Sequence, residues 1–151
     1  MALQHTLLIV HILAAAIWIG GGVVALLLGS RLAQGDDPAP LARYCRDLGK
    51  LGGPVFGGSG GIVLLSGGWL TSAAGFEFSQ TWVIVGLVGW LASTILGAGP
   101  VSKTWVKVGQ QLDAGESLEA TRPLIARAQM ISWIDVGIRT AVVVLMVVKP
   151  G

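Results

Sequence analysis

The feature that most constrains this chain is an apolar run over residues 7–29, which is interrupted by one ionisable side chain, His11. A helix that crosses a bilayer needs about 20 apolar residues, because the hydrocarbon core is about 30 Å thick and each residue adds about 1.5 Å. The run exceeds this length. Residues 1–6 contain no Lys or Arg, whereas a cleaved signal peptide begins with basic residues. The sequence therefore predicts a retained transmembrane helix.

The composition extends this prediction to the whole chain. Of its 151 residues, 53% are hydrophobic and 12% are charged, whereas soluble domains carry about a quarter charged residues. Three further apolar segments follow, over residues 55–76, 82–101 and 131–148. We predict an all-α fold in which residues 1–151 form one domain, a bundle of four transmembrane helices in the lipid bilayer. The net charge of +2 is too small to indicate a nucleic-acid partner.

The distribution of basic residues predicts the orientation of these helices. The two long connections are rich in Lys and Arg, whereas residues 77–81 have neither and the terminal segments have only Lys149. By the positive-inside rule, both long connections lie in the cytoplasm and both termini lie outside. Apolar residues recur at helical spacing on each side of an acidic turn in both connections. This pattern predicts two cytoplasmic helical hairpin extensions of the bundle.

Small residues recur at every fourth position in three of the predicted helices. The three sets are Gly21, Ala25 and Gly29; Gly53, Gly57 and Gly61; and Gly89, Ser93 and Gly97. Such spacing lets helix backbones approach each other closely in lipid. The denser glycine runs at residues 20–22, 57–61 and 67–68 leave two interpretations open, very close packing or a flat cofactor that lies against bare backbone.

His11 is the first candidate for a functional role, because an ionisable group in lipid costs free energy unless a partner or a metal compensates. It lies about one turn inside the first helix and faces the same way as Trp18, and Met146 lies at a comparable depth in the fourth helix. Histidine and methionine are the axial ligands of iron in some haem proteins. The sequence thus allows a haem b cofactor whose metal is held by His11, with or without Met146, beside Trp18. The alternative is a structural hydrogen bond from His11 to a carbonyl or a serine, and His5 is expected to point to another side.

Asp135 and Arg139 form the second candidate site. They lie four residues apart and can pair on one face of the fourth helix. The pair either forms a polar site for a proton, an ion or an anionic group, or is a structural ion pair with Arg31 or Ser93 nearby, and we favour the ion pair. Cys45 falls in a polar connection and is expected to be a solvated or interfacial thiol.

Residues 11–21, HILAAAIWIGG, resemble the first helix of a clan of small bacterial membrane proteins, in which His and hydrophobic residues precede Ala-x-x-x-Trp-x-Gly. The clan includes the copper-resistance protein D domain, the HemJ-type protoporphyrinogen oxidases and a set of uncharacterised predicted integral membrane proteins. The ending, residues 144–150, resembles this last set most. The resemblance implies a multi-pass four-helix protein of the bacterial cytoplasmic (inner) membrane, with a haem-ligating histidine carried over onto His11. The HemJ-type proteins also use a lysine in the third helix, where this chain has none before Lys103.

Three hypotheses for the function follow. The first is a haem-binding protein with a redox or haem-related role. The second is a non-catalytic accessory subunit, whose glycine faces pack against a larger respiratory, photosynthetic or transport complex or against further copies of the chain. The third is a small transporter that uses Asp135 and Arg139. The sequence has no nucleotide-binding loop, His-Glu-x-x-His motif or serine triad candidate, so it predicts no catalytic residue.

Overall fold

The computed structural model describes residues 2–149, over which the chain forms six α-helices and two π-helical segments. The helices are α1 Ala2–Leu32, α2 Pro38–Gly52, α3 Gly58–Ala73, α4 Thr81–Leu96, α5 Ser102–Asp113 and α6 Leu118–Val148. The π-helical segments join α2 to α3 and α4 to α5 without a break. Met1, Pro150 and Gly151, of which Pro150 belongs to the motif at the end of the chain, lie outside the described residues.

Four continuous helical rods result, and each is long and apolar enough to cross a membrane. The rods are Leu3–Leu32, Pro38–Ala73, Thr81–Asp113 and Leu118–Val148. The predicted all-α bundle of four transmembrane helices is therefore confirmed. The rods are longer than the four apolar segments of the sequence, and each apolar segment covers only part of its rod. The amphipathic α2 and α5, and the polar start of α6, continue them.

The two π-helical segments, Gly53–Gly57 and Gly97–Val101, each contain a proline, Pro54 and Pro100 respectively. Proline removes one main-chain donor and crowds the preceding turn of an α-helix. A local π-turn is wider than an α-turn, so it accommodates the ring while the helix continues. The rods therefore pass through both prolines.

The rods alternate in direction, which gives the bundle two distinct ends. The start of α1, residues 74–80 and the end of α6 meet at what we call the terminal end, where Gln4 Nε2 donates to the Ala73 carbonyl at 2.8 Å. The turns at residues 33–37 and 114–117 lie at the opposite end, which we call the hairpin end. In the half of the bundle nearest the terminal end, which we call the terminal half, α1 packs mainly on α3 and α4 packs mainly on α6. In contrast, α3 and α4 make few contacts with each other.

At the hairpin end, α2 packs on α5, and both enclose an apolar core with the first half of α6. Asp37 caps the start of α2 through Ala39 N, and Ser117 caps the start of α6 through Ala120 N. Cys45 lies inside this core with 1% of its surface exposed, so the prediction of a solvated thiol is wrong. The reason is that Cys45 falls on the apolar face of α2, opposite the polar face that determines the composition of the connection.

Glycines of the first and third predicted sets make close helix contacts. A Cβ atom added to Gly21 would lie 2.9 Å from Phe56, and one added to Gly89 would lie 2.5 Å from Val142. The second predicted set is wrong, because Gly53, Gly57 and Gly61 have no such neighbour within 4 Å; Gly60 and Gly67 make the contacts of α3 instead, with Trp18 and His11. The π-helical segment before α3 adds a residue to one turn and rotates the helix beyond it, which breaks the four-residue spacing.

We expect Gly89→Ala to destabilise the protein by about 1–3 kcal/mol, which is the usual cost of an added methyl group in a packed contact. The matched control is Gly61→Ala, where nothing lies within 4 Å of the added atom, and which gains helix propensity. Thermal unfolding in detergent, followed by circular dichroism, compares the two variants. Equal melting temperatures would contradict close packing of α4 on α6.

Candidate functional site

A large cavity, which we call the terminal cavity, opens in the terminal half of the bundle between α1, α3, α4 and α6. Its volume is 1330 Å³, whereas small-molecule sites typically measure about 300–1,000 Å³. It exists because α3 and α4 stand apart. Trp90 Nε1 donates to the Gly60 carbonyl at 2.9 Å toward one end of the gap, and Phe76 packs edge-on against Trp82 toward the other.

Most of the cavity wall is apolar or aromatic, and the three residues predicted to bind a cofactor, His11, Trp18 and Met146, all line it. His5 lines it as well, so its position on another side of α1 does not keep it off the cavity wall. The cavity extends along α1 from Gln4 to Gly20. A cavity this long borders more than one side of α1, so two residues that face different sides of the helix can both line it.

Two glycines provide the room that His11 and Met146 occupy. A Cβ atom on Gly67 would lie 3.0 Å from His11 Cε1, and a Cβ atom on Gly86 would lie 2.5 Å from Met146 Cε. The imidazole therefore lies against the bare backbone of α3, and the thioether lies against the bare backbone of α4. The glycine runs of the sequence serve in part to admit these two side chains.

The hydrogen bonds of His11 and Ser66 favour one tautomer of the imidazole ring. His11 Nδ1 lies 3.0 Å from Ser66 Oγ, and Ser66 donates its own hydroxyl proton to the Ile62 carbonyl at 2.5 Å. In the tautomer with the proton on Nδ1, the serine oxygen accepts a hydrogen bond from Nδ1 and Nε2 is unprotonated. Sequence reasoning allowed a serine partner but did not identify Ser66. The available signal was that Ser59, Gly60, Ser66 and Gly67 repeat a small polar pair after seven residues.

Asp135 and Arg139 form a buried network between α1, α4 and α6. Each residue has 4% of its surface exposed. Arg139 donates from Nη2 to Asp135 Oδ2 at 2.6 Å, from Nε to Ser93 Oγ at 2.8 Å, and from Nη1 to the Trp18 carbonyl at 2.5 Å. Ser93 donates in turn to the second carboxylate oxygen of Asp135. The predicted pair is present, and Ser93 is its additional partner.

The space around the guanidinium group is shaped by glycines and aromatic rings. A Cβ atom on Gly22 would lie 2.9 Å from Arg139 Nη1, and one on Gly97 would lie 3.3 Å from Nη2. The guanidinium carbon lies 4.8 Å from the centre of the Trp18 ring, a favourable cation–π contact. Arg31, the other partner considered, is exposed in the last turn of α1. All three guanidinium nitrogens of Arg139 and both carboxylate oxygens of Asp135 thus have hydrogen-bond partners within the bundle.

Removing one charge of this network should be costly, because the remaining charge stays buried without its partner. We expect Asp135→Asn or Arg139→Gln to destabilise the protein by about 3–5 kcal/mol, and the double variant to cost less than the sum of the two. Denaturation in detergent measures these changes. Asp113→Asn, which breaks the exposed ion pair with Arg46, is the control and should have a much smaller effect. A smaller shift for Asp135→Asn than for Asp113→Asn would show that the network does not hold the helices.

The fold and the site together define a class of protein, a four-helix integral membrane protein with an open apolar cavity between its helices. Residues 5–150 match the family described as Predicted integral membrane protein (DUF2269), and the chain belongs to this family. No curated protein and no solved structure matches the chain. The family confirms the likeness to uncharacterised predicted integral membrane proteins. The likeness to copper-resistance protein D and to HemJ-type proteins stays a prediction.

Proposed function

We propose that this protein binds a b-type haem in the terminal cavity through His11 and has a redox or haem-related role in its membrane. The observation that carries the proposal is the hydrogen bond between His11 Nδ1 and Ser66 Oγ, 3.0 Å long. In the tautomer that this bond favours, Nε2 is the available ligand atom, on a residue that lines a cavity of 1330 Å³. Histidines that bind metals usually donate their other N–H to a fixed acceptor in this way.

The donor atoms of the chain also favour a porphyrin over a bare metal ion. Within residues 2–149 no three His, Cys, Asp or Glu side chains lie close enough to share an ion. A metal held at His11 would therefore have to arrive in a ligand that supplies most of the donor atoms, as a porphyrin does. His11 would hold the group, with or without Met146, while Trp18 and Trp90 would form flat walls. Bound haem would supply one-electron redox chemistry.

Hemin titrated into the purified protein in detergent should give a Soret band that depends on His11. We expect His11→Ala to shift this band and to abolish most of the affinity. Ser66→Ala should weaken binding about 10–100-fold, the usual effect of losing the partner that orients a ligating histidine. Met146→Leu should change the spectrum if the thioether is the second axial ligand.

His5→Ala is the matched control, because it removes the other histidine of the cavity wall and should leave the Soret band in place. The absence of a Soret band, or a band that His11→Ala leaves unchanged, would contradict the proposal.

We also propose that the hairpin end faces the cytoplasm of a bacterial cell, with both termini on the outside. Basic residues gather on α2, α5 and the start of α6 at the hairpin end: Arg43, Arg46, Lys50, Lys103, Lys107, Arg122 and Arg127. Cytoplasmic segments of inner-membrane proteins carry such an excess.

Cysteine labelling in intact cells tests this orientation. Native Cys45 is buried and should react slowly with an impermeant maleimide, which gives a low background. Ser79→Cys, at the terminal end, should react in intact cells. Ala114→Cys, in the turn at the hairpin end, should react only after the membrane is opened. The reverse pattern would invert the proposed topology.

A second candidate function is that of a non-catalytic subunit of a membrane complex or of a homo-oligomer. The observation in its favour is that Cβ atoms added to Gly57, Gly58 and Gly61 would meet nothing within 4 Å, so that the backbone where the π-helical segment passes into α3 has room for a partner. Stoichiometric co-purification of a partner in mild detergent, lost in Gly61→Leu, would support this function. Transport through Asp135 and Arg139 has less support, because both carboxylate oxygens of Asp135 already have partners.

A further inference from the structure

Lys149 places an ammonium group at the mouth of the terminal cavity. Its Nζ atom lies 4.4 Å from the centre of the Phe76 ring and 5.3 Å from the centre of the Trp82 ring. The two rings pack edge-on against each other, with centres 5.3 Å apart. They hold the ammonium group by cation–π contacts, which position its charge without neutralising it.

Among the described residues, Lys149 has no ion-pair partner. No carboxylate oxygen of residues 2–149 lies within 4.0 Å of its Nζ atom, and the ion pairs found among these residues are Arg46–Asp113 and Arg139–Asp135. The described residues that line the cavity include no Asp or Glu, and His5 and His11 are its other ionisable groups. A ligand with an anionic group in this cavity would therefore meet an attractive charge, and no described lining residue would repel it.

The backbone of Lys149 indicates that the position of its side chain matters. Lys149 ends α6 in the left-handed conformation, with φ 44° and ψ 60°, and its N–H donates to the Leu145 carbonyl at 2.9 Å. Glycine adopts this conformation freely and is the usual residue at such a helix end. Lysine is strained here, and what it adds is a charged side chain over Phe76 and Trp82.

We infer that the ligand of the terminal cavity has an apolar body and a carboxylate group, and that Lys149 binds this carboxylate at the mouth. The inference rests on the function proposed above, since for haem b the carboxylates are its propionates. Lys149 lies about 4.5 Å beyond Met146 along α6, and His5 lies about 9 Å beyond His11 along α1, by helical rise. Both groups therefore lie on the terminal side of the two candidate axial ligands, toward the mouth.

The decisive probe is metal-free protoporphyrin IX compared with its dimethyl ester, because neither compound needs an iron ligand. Each is titrated into the full chain in neutral detergent, and porphyrin fluorescence and tryptophan quenching report binding. We expect the wild type to bind the diacid at least about tenfold more tightly than the diester, in line with a charge-assisted hydrogen bond. Lys149→Gln should bring this ratio near one, and Lys149→Arg should preserve it. Lys103→Gln, at the hairpin end, removes the same charge and should leave the ratio unchanged.

The outcomes separate this inference from the haem proposal. A ratio near one in the wild type, or a ratio that Lys149→Gln leaves unchanged, overturns the inference even when hemin gives a Soret band that depends on His11. Equal weakening of both porphyrins by Lys149→Gln also overturns it, since that result means that Lys149 only stabilises the end of α6. If no porphyrin or hemin binds but a fluorescent fatty acid binds in a manner that depends on Lys149, the carboxylate site is supported and the haem proposal fails.

Discussion

The packing of the membrane-spanning part of the bundle depends on the hydrogen bonds of the buried Arg139 guanidinium group. A charge in this position is tolerable only if nearly all of its hydrogen-bonding capacity is met within the protein. Asp135 meets it from the same helix, Ser93 from α4 and the Trp18 carbonyl from α1, which fixes three helices at one depth. Trp18 also lines the terminal cavity. The network that secures the bundle therefore borders the terminal cavity.

The cavity follows from how the helices pair. α1 holds α3 through the hydrogen bond of His11 with Ser66 and the contact of Gly60 with Trp18, and α6 holds α4 through contacts at Gly86 and Gly89. The pairs α1–α3 and α4–α6 are joined mainly where α1 meets α6, near Arg139. Each pair is tightly packed through glycines, and the two pairs meet near Arg139, away from the terminal end. The terminal half therefore stays open between α3 and α4. Close packing and a large cavity are thus two results of the same arrangement.

The sequence predicted the properties that a single helix carries. The four membrane helices and the pairing of Asp135 with Arg139 follow from hydropathy and spacing, which are local. The cavity, the Ser66 partner and the position of His5 depend on which helices approach and which stay apart, and no single segment encodes that. The π-helical segment at Pro54 changed the register of α3, so that Gly60 and Gly67 took the contacts expected of Gly57 and Gly61. Cys45 was misjudged because the composition of its connection concealed the apolar face of α2.

His11 was given two alternative roles from the sequence, a structural hydrogen bond or a metal ligand, and the structure shows why they need not compete. An imidazole ring has two nitrogens, and the serine bond uses Nδ1. With Ser66 donating to the Ile62 carbonyl, the bond favours the tautomer with the proton on Nδ1, and the ring lies against Gly67. In that tautomer the contact that packs α1 on α3 uses Nδ1 and leaves Nε2 available. A structural role of His11 is therefore compatible with the proposed one.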